Sequence, residues 1–211
     1  MPHWARVACV LIMLDHAFLD AISATRLSLE AAMLERVSVE EQFQTDVLLG
    51  DLNFETSYAL PGNQDQHSSI VADLAMGWSS FSQAAMRSLF IGESPDEDPS
   101  VMLSVTFQVR DLRAAPDASA LRATLSDEFP DLQGSSWYGP SLSMTTRYLK
   151  NDEQMFNFSI SSDGEVLLNE DTLVNDRGTE KVFAPLGQWI ASRLVKLSDY
   201  PFDFAKQPSR K

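Results

Sequence analysis

Cysteine is nearly absent: the 211 residues contain one, Cys9. A single thiol allows no internal disulfide, so nothing in the cysteine count points to an oxidising compartment, and a cytoplasmic protein is the default expectation. Histidine is almost as scarce, with His3, His16 and His67 alone. One cysteine and three scattered histidines argue against a zinc site, and no Walker A, GxGxxG or HExxH pattern occurs. Neither a metal nor a cofactor is therefore expected. Positive charge is short as well. Acidic residues outnumber basic ones 30 to 16, a net charge of −14, which repels nucleic-acid phosphates and anionic lipid alike. No nucleic-acid partner and no membrane insertion are expected.

Long apolar runs are also missing. The stretch Val7 to Leu14 is eight residues, far short of the roughly 20 that span a bilayer. Arg6 followed by that run imitates a secretory signal, but Asp15, His16 and Asp20 interrupt it, and the apolar register continues through Phe18, Ile22, Leu29, Met33 and Val37. Steps of mostly three and four make one helical stripe. Glycine and proline are absent between Pro2 and Gly50, so nothing breaks a helix from about Trp4 to about Val37, roughly 50 Å long. A stripe of that length exceeds what one face of a small sheet covers, and self-association into a homo-oligomer is the expectation.

After the helix the texture changes to period two. Phe43, Thr45, Val47 and Leu49 alternate with polar neighbours, then the phase slips at Gly50 to Leu52, Phe54, Thr56 and Tyr58; a slip at glycine suggests a β-bulge. On the second run Asp51 and Glu55 share the face opposite Phe54, expected about 7 Å apart and solvent-facing. Further strands are expected at 70–78, 102–109, 142–149, 155–160 and 166–168, the last two joined by a hairpin at Asp163-Gly164. Residues 79–92 fit helix and strand equally. Pro130, Gly134, Gly139 and Pro140 mark a loop, and helices are expected near 118–129 and from about Pro185 to before Pro201. The whole chain, 1–211, is expected to form one α+β domain, an antiparallel sheet covered by a long N-terminal helix over 1–40 and a C-terminal helix, with the sheet and helices over 41–205 and a basic tail over 206–211.

Catalytic constellations are hard to find. A histidine-dependent hydrolase would have to use His67 with Asp65, in the loop Asn63-Gln64-Asp65-Gln66-His67, and a loop histidine beside an aspartate is usually just solvated. Aromatic side chains are the more unusual content: Trp78 and Phe81, Trp137 and Tyr138, Trp189, then Tyr200, Phe202 and Phe204 at the ends of expected elements. Beside a polar rim such residues build binding grooves, so Trp78, Phe81, Trp189, Phe202 and Phe204 are candidate residues of a binding groove. No catalytic residue is assigned.

Two local patterns resemble the SecB-type export chaperones and their SecB-like relatives. Phe43-Gln44 leading to Asp51-Leu52-Asn53-Phe54-Glu55 is similar to that family's first strand, and Phe183, Pro185, Trp189, Ile190, Leu194 and Tyr200-Pro201 are similar to its closing helix. Leu186-Gly187-Gln188-Trp189 departs from the family's motif after the first proline, and 118–149 has no clear counterpart. The resemblance implies a homo-oligomeric holdase without catalysis or cofactor, which binds unfolded client proteins in apolar grooves. It also implies that Asp51 and Glu55 lie on an acidic sheet face that docks a partner. The alternative is an acidic inhibitor or immunity-type protein that binds one basic partner, since strong negative charge steers a cationic surface.

Overall fold

In the computed structural model the residues described are 3–33, 40–48, 50–60, 68–125, 128–149, 153–169, 172 and 177–205, with 3–15 and 40–48 described by backbone alone. Among the described residues four helices and six strands run in the order α1 (His3–Met33), β1 (Glu40–Leu48), β2 (Asp51–Ala59), β3 (Ile70–Trp78), α2 (Ser80–Phe90), β4 (Ser100–Leu112), α3 (Ala118–Leu125), β5 (Ser135–Tyr148), β6 (Gln154–Leu167) and α4 (Gly178–Asp199). The strands form one sheet in the order β1-β2-β3-β4-β6-β5, and every neighbouring pair is antiparallel. The architecture is α+β, with β1 at one edge and β5 at the other. No described helix is long and apolar enough to cross a membrane.

Alternation decides which face of the sheet is covered. Ala72, Leu74, Met76 and Trp78 on β3, and Val101, Leu103, Val105, Phe107 and Val109 on β4, are buried. Their neighbours Asp73, Ala75, Gly77, Ser104, Thr106 and Gln108 are half-buried on the opposite face. Successive strand side chains point to opposite sides, so the two sets define a helix-covered face and an open one. Phe183, Leu186, Ile190, Leu194 and Leu197 of α4, with Phe18, Ile22, Leu29 and Met33 of α1, join the strand residues in a single core. Each such side chain contributes about 1.5–3 kcal/mol by leaving water.

The two long helices touch at backbone level. Ser28 Oγ donates to the Ala184 carbonyl at 2.7 Å and Thr25 Oγ1 to the Phe183 carbonyl at 3.4 Å. The approach is possible because α4 carries Gly187 at the crossing, where a Cβ would overlap the Thr25 carbonyl and the Ser28 hydroxyl.

Several local expectations are corrected. Gly50 is not a bulge: Leu48 pairs with Asp51, and Gly50, at φ +89°, turns a tight hairpin. Asp163-Gly164 is not a turn, because β6 runs straight through it with Asp163 opposite Ser104 and Gly164 opposite Leu103. Glycine is needed there for space, since a Cβ at 164 would stand 2.6 Å from the Trp137 ring. The stretch expected as a loop around Gly139 belongs to β5, which shifts register between Tyr138 and Ser141. Residues 80–90 are helical, with the Ser79 side chain capping Ser82 N as an N-cap serine does. The last helix begins at Gly178, and Pro185 lies inside it; α1 ends at Met33 among the described residues.

Candidate functional site

A mostly apolar cleft opens where α3, β5 and α4 meet over the covered face of β4 and β6. Phe107, Leu125, Phe129, Leu142, Trp189 and Arg193 are among its walls, and its cavity volume is about 30 Å³. That is room for part of one side chain, well below the several hundred Å³ of a cofactor pocket. Trp189 is the centre of the aromatic wall. Its ring meets Phe107 edge-on at 5.4 Å and Trp137 tilted at 6.0 Å, and Trp137 in turn stacks on Phe129 at 5.6 Å with 3° between planes.

Polar contacts hold this wall in place. Trp189 Nε1 donates to the Glu128 carbonyl at 2.9 Å, and Arg193 donates to the same oxygen. The Arg193 side chain, one helical turn beyond Trp189, lies 5.3 Å from the indole centroid, the arrangement that attracts a guanidinium to an aromatic face. Arg193 is 5% exposed, so the cation is part of the packing and its charge is felt inside the cleft, where screening is weak.

The open sheet face is different in kind. The cross-strand register aligns Glu55, Ala75, Ser104 and Asp163 in one row, and Asn53, Gly77, Met102 and Glu165 in the next. Glu55 and Asp163, both exposed, therefore flank a floor of small side chains, about 14 Å apart across three strand spacings. Asp73 is not available to a partner in the same way: Ser57 Oγ and Gln108 Nε2 donate to its two oxygens, and Arg110 donates to Gln108 Oε1 at 2.7 Å. Arg147 pairs with Asp111 at 3.2 Å at the far end of this face.

The residues singled out in the sequence separate in space. Trp78 is 1% exposed, with Nε1 donating to Ser82 Oγ at 2.9 Å; it is core, and a client cannot reach it. Phe81, 82% exposed, stands near Ser100 at one end of β4, because the next residue, Ser82, bonds Ser100. Phe204 bridges to Leu112 at the other end, roughly 40 Å away along the strand. Phe202 packs between Tyr200 and Phe204. Only Trp189 lies in the cleft. Asp51 and Glu55 do share a face, but they are four positions apart along the strand, so they stand roughly 13 Å apart rather than 7 Å. Asp51 is also engaged, its Oδ1 accepting from Ser80 N at 2.6 Å. Asp65 and His67 lie outside the described residues.

Phe129, Trp137, Leu142 and Arg193 enter the cleft or its wall without having been assigned to a site. The spacing of Trp189 and Arg193, four apart on one helix, is the local signal that pairs them; Phe129 and Trp137 are joined to them only by the fold. Comparison with protein-family models, with curated proteins and with solved structures finds no match.

Proposed function

We propose that this chain is a non-enzymatic, cytoplasmic protein-binding protein, a holdase in the manner of the SecB-like chaperones, and that its cleft takes an apolar side chain from an unfolded client. The observation that carries this reading is the aromatic wall Phe107–Trp189–Trp137–Phe129 around an opening that admits part of one side chain. Rigid aromatics with a hydrogen-bonded indole give large contact area at low entropic cost. Arg193 over Trp189, itself buried, keeps the indole in place from within the packing.

The test is suppression of aggregation. Full-length protein is mixed at stoichiometric ratio with a chemically unfolded, reduced and alkylated protein diluted into buffer, and light scattering and tryptophan emission are followed. Suppression with a shift in emission, both lost in Trp189→Ala, is the expected result. Full suppression by a folded Trp189→Ala variant, or none by the natural chain, would sink the cleft as the client site.

A second reading rests on the open sheet face. Glu55 and Asp163 flanking Ala75 and Ser104 suit one basic protein partner, and charge complementarity of this kind speeds association more than it tightens it. Such binding weakens as salt rises, whereas client capture in an apolar cleft does not.

A further inference from the structure

The two edges of the sheet are not alike. β1 carries Glu40, Glu41 and Asp46 along its length, the kind of charge that keeps a sheet edge from pairing with another chain. Among the described strands β5 alone has no carboxylate. Its only charge, Arg147, is held by Asp111. It pairs with β6 on one side, and among the described residues no strand pairs with the other, so the outward N–H and C=O groups from Ser141 to Tyr148 are unmatched by the sheet. Unmatched backbone groups on a long, flat edge are a template for another strand.

The side chains along this edge are ready for such a neighbour. Leu142, Met144, Thr146 and Tyr148 lie on the covered side of the sheet; Leu142 reaches the cleft, and beyond it the cover ends, with Met144 47% and Tyr148 71% exposed. Pro140, which has no N–H, closes the usable edge at its start.

We infer that the β5 edge joins two copies of this chain, by antiparallel pairing of Ser141–Tyr148 with the same segment of a second copy. Facing residues in an antiparallel pair must present their side chains to the same side, so the two-fold axis passes midway between a residue and its own copy, and the centre of the segment limits that residue to Met144 or Thr145. In the first register Arg147 faces Ser141 of the second copy, and in the other it faces Ser143; like charges meet in neither. Tyr148 of each copy comes opposite Pro140 or Leu142, both lining the aromatic cleft, so the second copy supplies an aromatic ring at the cleft mouth. Two chains of net charge −14 repel at long range, and a contact made from the carboxylate-free strand adds no close repulsion to that. Pairing should therefore tighten as salt screens the remainder, the opposite of what docking of a basic protein on the open face would show. The inference does not depend on the client-binding reading.

Sedimentation of the full chain should give twice the 23.5 kDa chain mass at micromolar concentration, with dissociation weakened by raising salt. Thr145→Lys, which sets like charges across the axis, should weaken association at least tenfold, as should Met144→Lys; circular dichroism identifies any variant that fails to fold, and the other then decides. Thr145→Cys or Met144→Cys should form a disulfide-linked dimer on oxidation, its position mapped by peptide mass so that Cys9 is not mistaken for it. A monomer at every concentration and salt would overturn the inference. So would a dimer that both folded lysine variants leave intact, or β5 cross-links that form only to an added extended peptide.

Discussion

Gly187 of α4 lies directly against the backbone of Thr25 in α1, so closely that a single methyl group on it would overlap the Thr25 carbonyl oxygen. Most of what meets that methyl is backbone, Thr25 O and Leu29 N as well as the Ser28 hydroxyl, and backbone cannot rotate away. Gly187→Ala should therefore cost about 3 kcal/mol or more, at or above the upper end of ordinary overpacking, although alanine is the better helix former. Urea denaturation followed by far-ultraviolet circular dichroism measures it. A loss under about 1 kcal/mol would mean that the helices do not cross there.

Gly164 and Trp137 form the same kind of pair across two strands. The methyl of Gly164→Ala would stand 2.6 Å from Cε3 of the indole, and the ring, being a side chain, can move where a backbone cannot. The expected cost is about 1–3 kcal/mol, with a change in tryptophan emission as Trp137 leaves its stack on Phe129. An unchanged emission spectrum would show the ring elsewhere.

Ser82 holds three groups at once: its hydroxyl accepts from Trp78 Nε1 at 2.9 Å and from Ser100 N at 2.7 Å, and donates to the Ser100 carbonyl at 2.6 Å. Ser82→Ala leaves a buried indole donor and a strand-end amide without their partner, and each unsatisfied donor costs about 1–3 kcal/mol. A total loss of about 2–4 kcal/mol is expected from the denaturation midpoint, while Ser82→Gly should be worse by the further loss of helix propensity.

Asp51 and Glu55 should respond differently to charge reversal. Asp51 accepts from Ser80 N at the start of α2, so Asp51→Lys removes a helix-end partner and should cost about 0.5–2 kcal/mol, as loss of a cap does. Glu55 is exposed, and Glu55→Lys should change stability by about half a kcal/mol or less. Glu55→Lys with Asp163→Lys is the cleaner probe of the open face: both should fold normally, and capture of a basic protein should fall together with its salt dependence.

Much of this architecture was legible in the order of residues alone. Period two over Ile70 to Trp78 and Met102 to Val109 marks strands with one buried face wherever they sit in the sheet, and the apolar stripe of the first helix marks its packed side; both follow from fixed backbone geometry. The α+β class and the shared face of Asp51 and Glu55 came the same way. What the tertiary structure alone decided is every relation between distant elements. Asp-Gly reads as a turn because its chemistry suits one, yet at Gly164 the same small residue makes room for an indole from another strand. Trp78 and Trp189 have the same side chain near the end of an element or within one, but Trp78 points into a layer that helices seal and Trp189 into a gap between α3 and β5. Local periodicity states which way a side chain faces; it carries no information about what will be standing there, because that is set by strand order and helix crossing, contacts between residues tens of positions apart.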